Sequence, residues 1–398
     1  MVLSYRHAYH AGNPGDVVKH SILSLVLAAL AKKDRPYFFL DTHAAAGQYA
    51  LDQQQPGTSR PLNREWAGGI GKVWTLRDTP RSLAPYLHAV RSINGFTAAT
   101  AASSPSPPSS PSSDDSITAE TSAAFSLPPS SPVYGSDAYQ LQSLRHYPGS
   151  PALFLHLRRP QDRMLAIEKH STEQRVLQQY LHSQPPRHTS YPYYPPSAST
   201  AARPVRPSRV LYDDFVTSLP MLPPPERRGL VFIDPPYEVS SEYEAVAGYM
   251  RDGLRRWQSG GWMLWYPLLR GKEQLALDMV DSIASLGCAR LLDVRFSLHS
   301  HMADRLSSGA GGSGSGGERV RERVSLYGCG VLLANPPYLL DSLLSTSLLP
   351  FLSRALGSSR SPADFSVRWL TAQRKAAGSG AQEDEDGDVD GSAVEKGR

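Results

Sequence analysis

Val231-Phe232-Ile233-Asp234-Pro235-Pro236-Tyr237 joins three apolar, strand-favouring residues to an acid, two prolines and an aromatic ring. The apolar run predicts a buried strand. The prolines, which lack an N–H and fix φ, predict that its hydrogen-bonded ladder stops abruptly at a polar tip. The stiffened backbone would let the Asp234 carboxylate, the Pro235 carbonyl and the Tyr237 ring face one flat, amine-bearing ligand. A plain strand ending in a Pro-Pro turn would carry the same tetrapeptide, and Asn335-Pro336-Pro337-Tyr338 repeats it with an amide in place of the acid. The flanking segments decide between the two readings.

Upstream, Tyr37-Phe38-Phe39-Leu40 is wholly apolar and bounded by Pro36 and Asp41, the pattern of a central parallel strand. It runs into Asp41-Thr42-His43-Ala44-Ala45-Ala46-Gly47, a small-residue loop of the kind that opens a nucleotide crevice. No Gly-Lys-Ser/Thr closes it, so it is not a P-loop. Residues 164–167 end in Glu168, and residues 209–212 end in Asp213-Asp214. With Asp41 and Asp234, acids therefore terminate four successive apolar runs. In an open α/β sheet, ligands bind just beyond the carboxyl ends of the strands, where carboxylates accept hydrogen bonds from ribose hydroxyls and an adenine amine. One such acid is ordinarily a helix cap; four in strand order predict a site for a nucleoside-bearing cofactor. Downstream, the pattern predicts a helix over 241–258, a strand over 262–266, a helix over 272–286, and strands over 290–296 and 324–334. Asp234 closes the fourth strand of this series and Asn335 follows the seventh, so the second tetrapeptide is expected to terminate an edge strand.

At the other end of the chain, Asn13-Pro14 with Asp16 marks a helix start, and Val17, Val18, Ile22, Leu25, Val26 and Ala29 predict an amphipathic helix over 15–31 with Lys19 and His20 in its opening turns. Before it, Tyr5-Arg6-His7-Ala8-Tyr9-His10 interleaves aromatic, cationic and imidazole groups suited to stacking on bases and holding phosphate, a candidate RNA contact. Without a partnered Cys or carboxylate cluster, His7 and His10 are read as solvated or hydrogen-bonded rather than as metal ligands.

Composition bounds the class. The chain of 398 residues carries 34 prolines and 31 glycines, which predicts one large catalytic core with low-complexity insertions. Cys288 and Cys329 are its two cysteines, which excludes a disulfide framework and a Cys-rich zinc site. No apolar run is expected to span a bilayer, and the first helix begins too close to Met1 to leave room for a removable signal. Residues 1–52 are read as an N-terminal arm, helix and first part of the core domain, 53–94 as an inserted helical subdomain and 95–140 as a low-complexity insert. The core resumes over 141–183, breaks for a Pro/Ser-rich insert over 184–207 and continues over 208–370 with a Gly/Ser loop at 307–317. An acidic tail covers 371–398. Residues 383–398 hold seven acids against two basic residues, so 39 basic and 30 acidic residues remain from the 41 and 37 of the whole chain, turning +4 into +9. A basic body with an acidic tail suits a polyanion such as nucleic acid.

Several of these stretches occur together in one family. Leu3-Ser4-Tyr5-Arg6-His7, His10-Ala11-Gly12-Asn13, Lys19-His20, Asp41-Thr42-His43-Ala44, Tyr147-Pro148-Gly149-Ser150-Pro151, Arg228-Gly229-Leu230, Ile233-Asp234-Pro235-Pro236-Tyr237-Glu238 and Trp265-Tyr266-Pro267 resemble, in order, the RlmJ-type methyltransferases of 23S ribosomal RNA. The resemblance implies a class I, Rossmann-like fold with a small helical subdomain inserted after the first strand, and methyl transfer from S-adenosyl-L-methionine to adenine N6. It implies cofactor contacts at His20, His43, Ser150, Glu168, Asp213 and Asp214, beside Asp41. It also implies RNA contacts at Tyr5, with Arg6 and Lys19 as neighbouring cations, and a catalytic set of Asp234, Pro235 and Tyr237 without a metal. The partner would be large-subunit ribosomal RNA, free or partly assembled, and the enzyme a monomer of the cytoplasm, with an organelle as the alternative. Ala45 and Asp214 stand where the family has glycine. A methyl group at 45 would crowd the cofactor's methionine end, and a side chain at 214 matters if φ there is positive. The rival readings are an adenine-N6 methyltransferase of DNA, a glutamine methyltransferase working through Asn335, and a catalytically silent RNA-binding protein.

Overall fold

The computed structural model describes residues 7–52, 65–76, 78–95, 117–125, 127, 143–184, 205–287, 290–298, 326–358 and 361–370. Tyr5, Arg6, most of the low-complexity inserts, the Gly/Ser loop and the acidic tail lie outside the described residues. Among the described residues ten strands form: β1 Phe38–Asp41, β2 Gln48–Ala50, β3 His146–Pro148, β4 Arg163–Glu168, β5 Arg209–Tyr212, β6 Gly229–Ile233, β7 Gly261–Leu269, β8 Leu291–Ser297, β9 Leu326–Ala334 and β10 Asp364–Leu370. Eight of them make one sheet in the order β10-β8-β9-β7-β6-β1-β4-β5. β7, β6, β1, β4 and β5 are parallel neighbours, whereas β9 runs antiparallel between β7 and β8. The expected Rossmann-like methyltransferase architecture is therefore present. Fully buried β1 and β6 sit at its centre because both of their faces are covered.

The first helix, α1 Pro14–Ala31, differs from its expected amphipathic form. Asn13 caps it through Asp16 N–H, but the helix is buried nearly all round, and its polar residues Asp16, Lys19, His20 and Ser24 are inside the protein. Among the described residues it is long and apolar enough to cross a membrane; with 78% of it buried, it is a core helix. One hydrophobic cluster packs α1 against Phe39, Phe154 and Phe232, and a second gathers Phe38, Val231 and Trp262 with Tyr243, Met250 and Met279.

The helical insertion leaves and returns through a two-stranded ribbon, since β2 pairs antiparallel with β3 and Leu51 N–H donates to Arg145 O. The chain between these points can be long without disturbing the sheet, because the ends are already held together. The insertion contains helices at Ile70–Trp74 and Ala84–Ile93, and a further one at Ala119–Ala124. The last lies in a stretch read from sequence as low complexity. Ile117, Phe125 and Leu127 beside it are buried in the first cluster.

The second tetrapeptide is placed by the same topology. Ala334 pairs with Trp262 at the start of β7, so Asn335 lies at the opposite end of the sheet from Asp234, and β9 is interior rather than an edge strand. Asn335 Nδ2 donates to Gln258 O at 2.6 Å and Gly260 O at 2.8 Å, tying the loop that enters β7. That structural duty and position exclude Asn335 from the Asp234 site.

Candidate active site

The C-terminal ends of β1, β4, β5 and β6 open on one crevice, lined by His20, Thr42, His43, Ala45, Ser150, Glu168, Lys169, Asp213, Asp214, Phe215, Asp234 and Pro236 among others. His20 comes from α1, Ser150 from the helix Ser150–Leu157, and the acids from the strand ends. Gly149 rather than Ser150 occupies the N-cap of that helix, leaving the Ser150 hydroxyl free to face Asp41.

Asp41 is completely buried just behind the lining. Its Oδ1 accepts from His43 N–H at 3.3 Å, while Oδ2 lacks a well-aligned partner, although the Ser150 hydroxyl helps to hold the charge. Burial raises this carboxyl to about 7 from 3.8, with Asp234 and Glu168 adding repulsion. A carboxyl raised on folding stabilises the fold most below its ordinary value; that contribution is lost as pH rises towards about 7. A ligand that donates hydrogen bonds here would counter the loss. Glu168 is also raised, first by burial; its Oε2 accepts from Ala45 N–H at 2.7 Å and its Oε1 from His170 N–H at 2.6 Å. Burial depresses His43 to about 3, so its ring is neutral at ordinary pH; it lies 4.9 Å from the Phe215 ring. His20 Nδ1 is 2.8 Å from the Tyr147 hydroxyl. Asp214 caps the 3-10 segment Phe215–Met221 and pairs with Lys169 Nζ at 2.7 Å.

Asp234 closes this ring of acids. Lys19 Nζ lies 2.6 Å from its Oδ2 and 2.8 Å from Asp16 Oδ1, so one buried ammonium is shared by two carboxylates. Burial pulls the Lys19 pKa down, but Asp16 and Asp234 together outweigh it and hold the group above its usual value. Asp16 Oδ2 also accepts from Gly12 N–H at 2.9 Å. Gly12, at φ 82°, in turn accepts from Ile70 N–H of the helical insertion. Lys19 was expected to meet RNA. At 2% exposure it instead anchors the acid and lies 5.2 Å from the Trp265 ring. The Tyr237 ring is likewise turned away from the crevice. It is 4% exposed, 4.4 Å from the Tyr243 ring, and its hydroxyl donates to Trp265 O at 3.0 Å. Pro236 lines the crevice in its place.

The sequence reading missed Asp16, whose i,i+3 spacing from Lys19 was visible but whose burial was not. It also missed Lys169 and Phe215, each one residue beyond an acid already singled out. Among the described residues no group of three or more His, Cys, Asp or Glu is arranged to hold a metal ion.

The family model described as ribosomal RNA large subunit methyltransferase D, RlmJ, matches residues 34–108 and 199–312. The chain is 27% identical over 355 residues to ribosomal RNA large subunit methyltransferase J of Escherichia coli (strain K12), covering 89% of this chain and 94% of that protein. It is 25% identical over 373 residues to the Haemophilus influenzae protein of the same name, covering 94% and 100%. A crystal structure of protein LPL1258 from Legionella pneumophila shares the fold with a TM-score of 0.62 at 23% identity, covering 91% of this chain and 98% of that one.

Proposed function

Because the chain belongs to the RlmJ family of ribosomal RNA large subunit methyltransferases, we propose that it transfers a methyl group from S-adenosyl-L-methionine to N6 of an adenine in large-subunit ribosomal RNA. The observation that carries this reading is a carboxylate at the end of β6, tethered by a buried lysine, in the same crevice as the acids ending β1, β4 and β5. The donor set fits the cofactor. Asp41 is a buried carboxyl with an underused oxygen, Glu168 and Asp213 are acceptors for hydroxyls, and a crevice rich in carboxylates favours a cationic ligand. Bound S-adenosyl-L-methionine supplies an electrophilic methyl group.

The exocyclic amine of adenine is a poor nucleophile because its lone pair is delocalised into the ring. Asp234 and the Pro235 carbonyl act as acceptors for the two N6 protons and draw the nitrogen towards tetrahedral geometry, which frees the lone pair. Such positioning is able to remove on the order of 7–11 kcal/mol of barrier in favourable cases. Asp234 takes up a proton after transfer, so prior deprotonation of the amine is unnecessary. Lys19 keeps the carboxylate in place from behind. Tyr237, buried and hydrogen-bonded to Trp265 O, braces the Asp-Pro-Pro turn; stacking on a splayed adenine would require this ring to leave its contacts. The partner on this reading is ribosomal RNA, in the cytoplasm or in an organelle with its own ribosomes.

Asp234→Asn keeps the shape of the side chain and removes the charge. It is expected to reduce methyl transfer to RNA at least a hundredfold, within the usual range for acid–base groups, while calorimetry still detects S-adenosyl-L-methionine binding. Wild-type turnover by this variant would remove Asp234 from its role, and faster methylation of duplex DNA than of RNA by the unaltered protein would reassign the substrate.

A further inference from the structure

The five parallel strands β7, β6, β1, β4 and β5 all begin at the end of the sheet opposite the crevice, so the segments leading into them share one face. That face is basic. Lys32, Lys33 and Arg35 precede β1, Arg227 precedes β6, Arg206 precedes β5 and Arg209 opens it; all six are exposed. The segments are bound to one another by further arginines. Arg159 donates to the carbonyls of Lys33 and Arg35, Arg228 to Arg35 O, and Arg158 to Arg206 O. The basic segments are thus held together by arginines through main-chain carbonyls. Burial and then the neighbouring Arg159 lower the Arg228 guanidinium, a sign of like charges crowded together.

The acids of this region do not neutralise it. Glu226 is buried and already taken by Arg163 at 2.9 Å and Arg206 at 3.2 Å; Asp162 is buried and taken by Arg159 at 2.9 Å. Asp34 is exposed among them. Among the described residues no ion pair engages Lys32, Lys33, Arg35, Arg209 or Arg227. Single unpaired surface cations are ordinary; five on one face beside one acid create a local field that favours a polyanion. Alongside it lies a groove at the β5 edge, lined by Arg158, Gln178 and His182 among others.

We propose that this face is a second RNA-docking surface, which takes the phosphate backbone of a segment of the ribosomal RNA remote from the target adenine. The inference rests on the function proposed above. β6 is five residues long, so about 16 Å of strand separates this face from Asp234 at a rise near 3.3 Å per residue. A short hairpin in the crevice would not reach round; a long ribosomal fragment would.

The test is the variant Lys32→Gln/Lys33→Gln/Arg35→Gln in the full chain, with a long large-subunit RNA fragment and a short hairpin as substrates. Exposed polar substitutions of this kind leave folding essentially intact. For the long RNA, the slope of log affinity against log salt is expected to fall by about 2–3, at roughly 0.7–0.9 per lost phosphate contact, and KM to rise tenfold or more. The expected kcat is unchanged, as is KM for the hairpin. An unchanged slope, or an equal rise in KM for both RNAs, overturns the proposal. Loss of binding to vesicles of anionic phospholipid with RNA affinity unaltered overturns it too, and gives the face to a membrane. Affinity is measured without turnover, so if the unaltered protein methylates neither RNA the proposed function fails while the salt slope still decides the docking surface.

Discussion

Ala45 has φ 49°, in the left-handed region where a Cβ costs about 1–2 kcal/mol. The conformation is held because Ala45 N–H must reach Glu168 Oε2. Glycine would remove that strain and lose roughly 0.5–1 kcal/mol to its freer unfolded chain. Ala45→Gly is therefore expected to stabilise the protein by about 0.5–1 kcal/mol, read as a higher urea midpoint at unchanged slope; a lower midpoint would mean that the methyl group packs favourably. Asp214, the other position where the resemblance implies glycine, behaves differently. Its φ of −81° suits any residue, and its side chain caps the following turn and pairs with Lys169. The two tetrapeptides also part at this scale. In Asp234-Pro235-Pro236-Tyr237 the left-handed residue is the last, and Tyr237 is buried; in Asn335-Pro336-Pro337-Tyr338 it is the first, and Tyr338 is 66% exposed. Two tetrapeptides that differ only in Asp against Asn thus fold into different turns.

Among the elements, legibility followed burial. β1, β4 and β6 are short apolar runs that nearly coincide with the strands expected, and the acids beyond them line or back the crevice as their order suggested. β2 and β3, at three residues each, carry no periodic signal, and β10 alternates weakly because it is a largely exposed edge strand. The antiparallel insertion of β9 between β7 and β8 is likewise invisible locally, since strand order is a tertiary property. The helix Ala119–Ala124 was hidden by Ser, Ala and Thr, and the largest of the side chains that anchor it beside Ile117 and Leu127 is aromatic. Phe125 is fully buried in the larger cluster, so Phe125→Ala is expected to cost about 3–5 kcal/mol. A thermal melt within a degree of wild type would show that this segment contributes little to the core.

Charge belongs to the whole molecule. The last described residue, Leu370, pairs with Leu291 at the same end of the sheet as the basic face, and the acids of 383–398 follow it in the chain. Deleting those sixteen residues takes the formal charge from +4 to +9. The deletion is expected to tighten RNA binding, more at low salt than at high; equal affinities in filter binding at low salt would show that the acidic stretch does not modulate the field. Buried α1 has a different reach. It supplies Asp16, Lys19 and His20 from the middle of the larger core, whereas Asp213, Asp214 and Phe215 hang from β5, the exposed edge strand. Opening the first wall means unfolding the domain, and opening the second means loosening one strand end. The crevice therefore has one fixed jaw and one yielding jaw, and adaptation to ligands of different bulk is confined to the β5 side, away from Asp234.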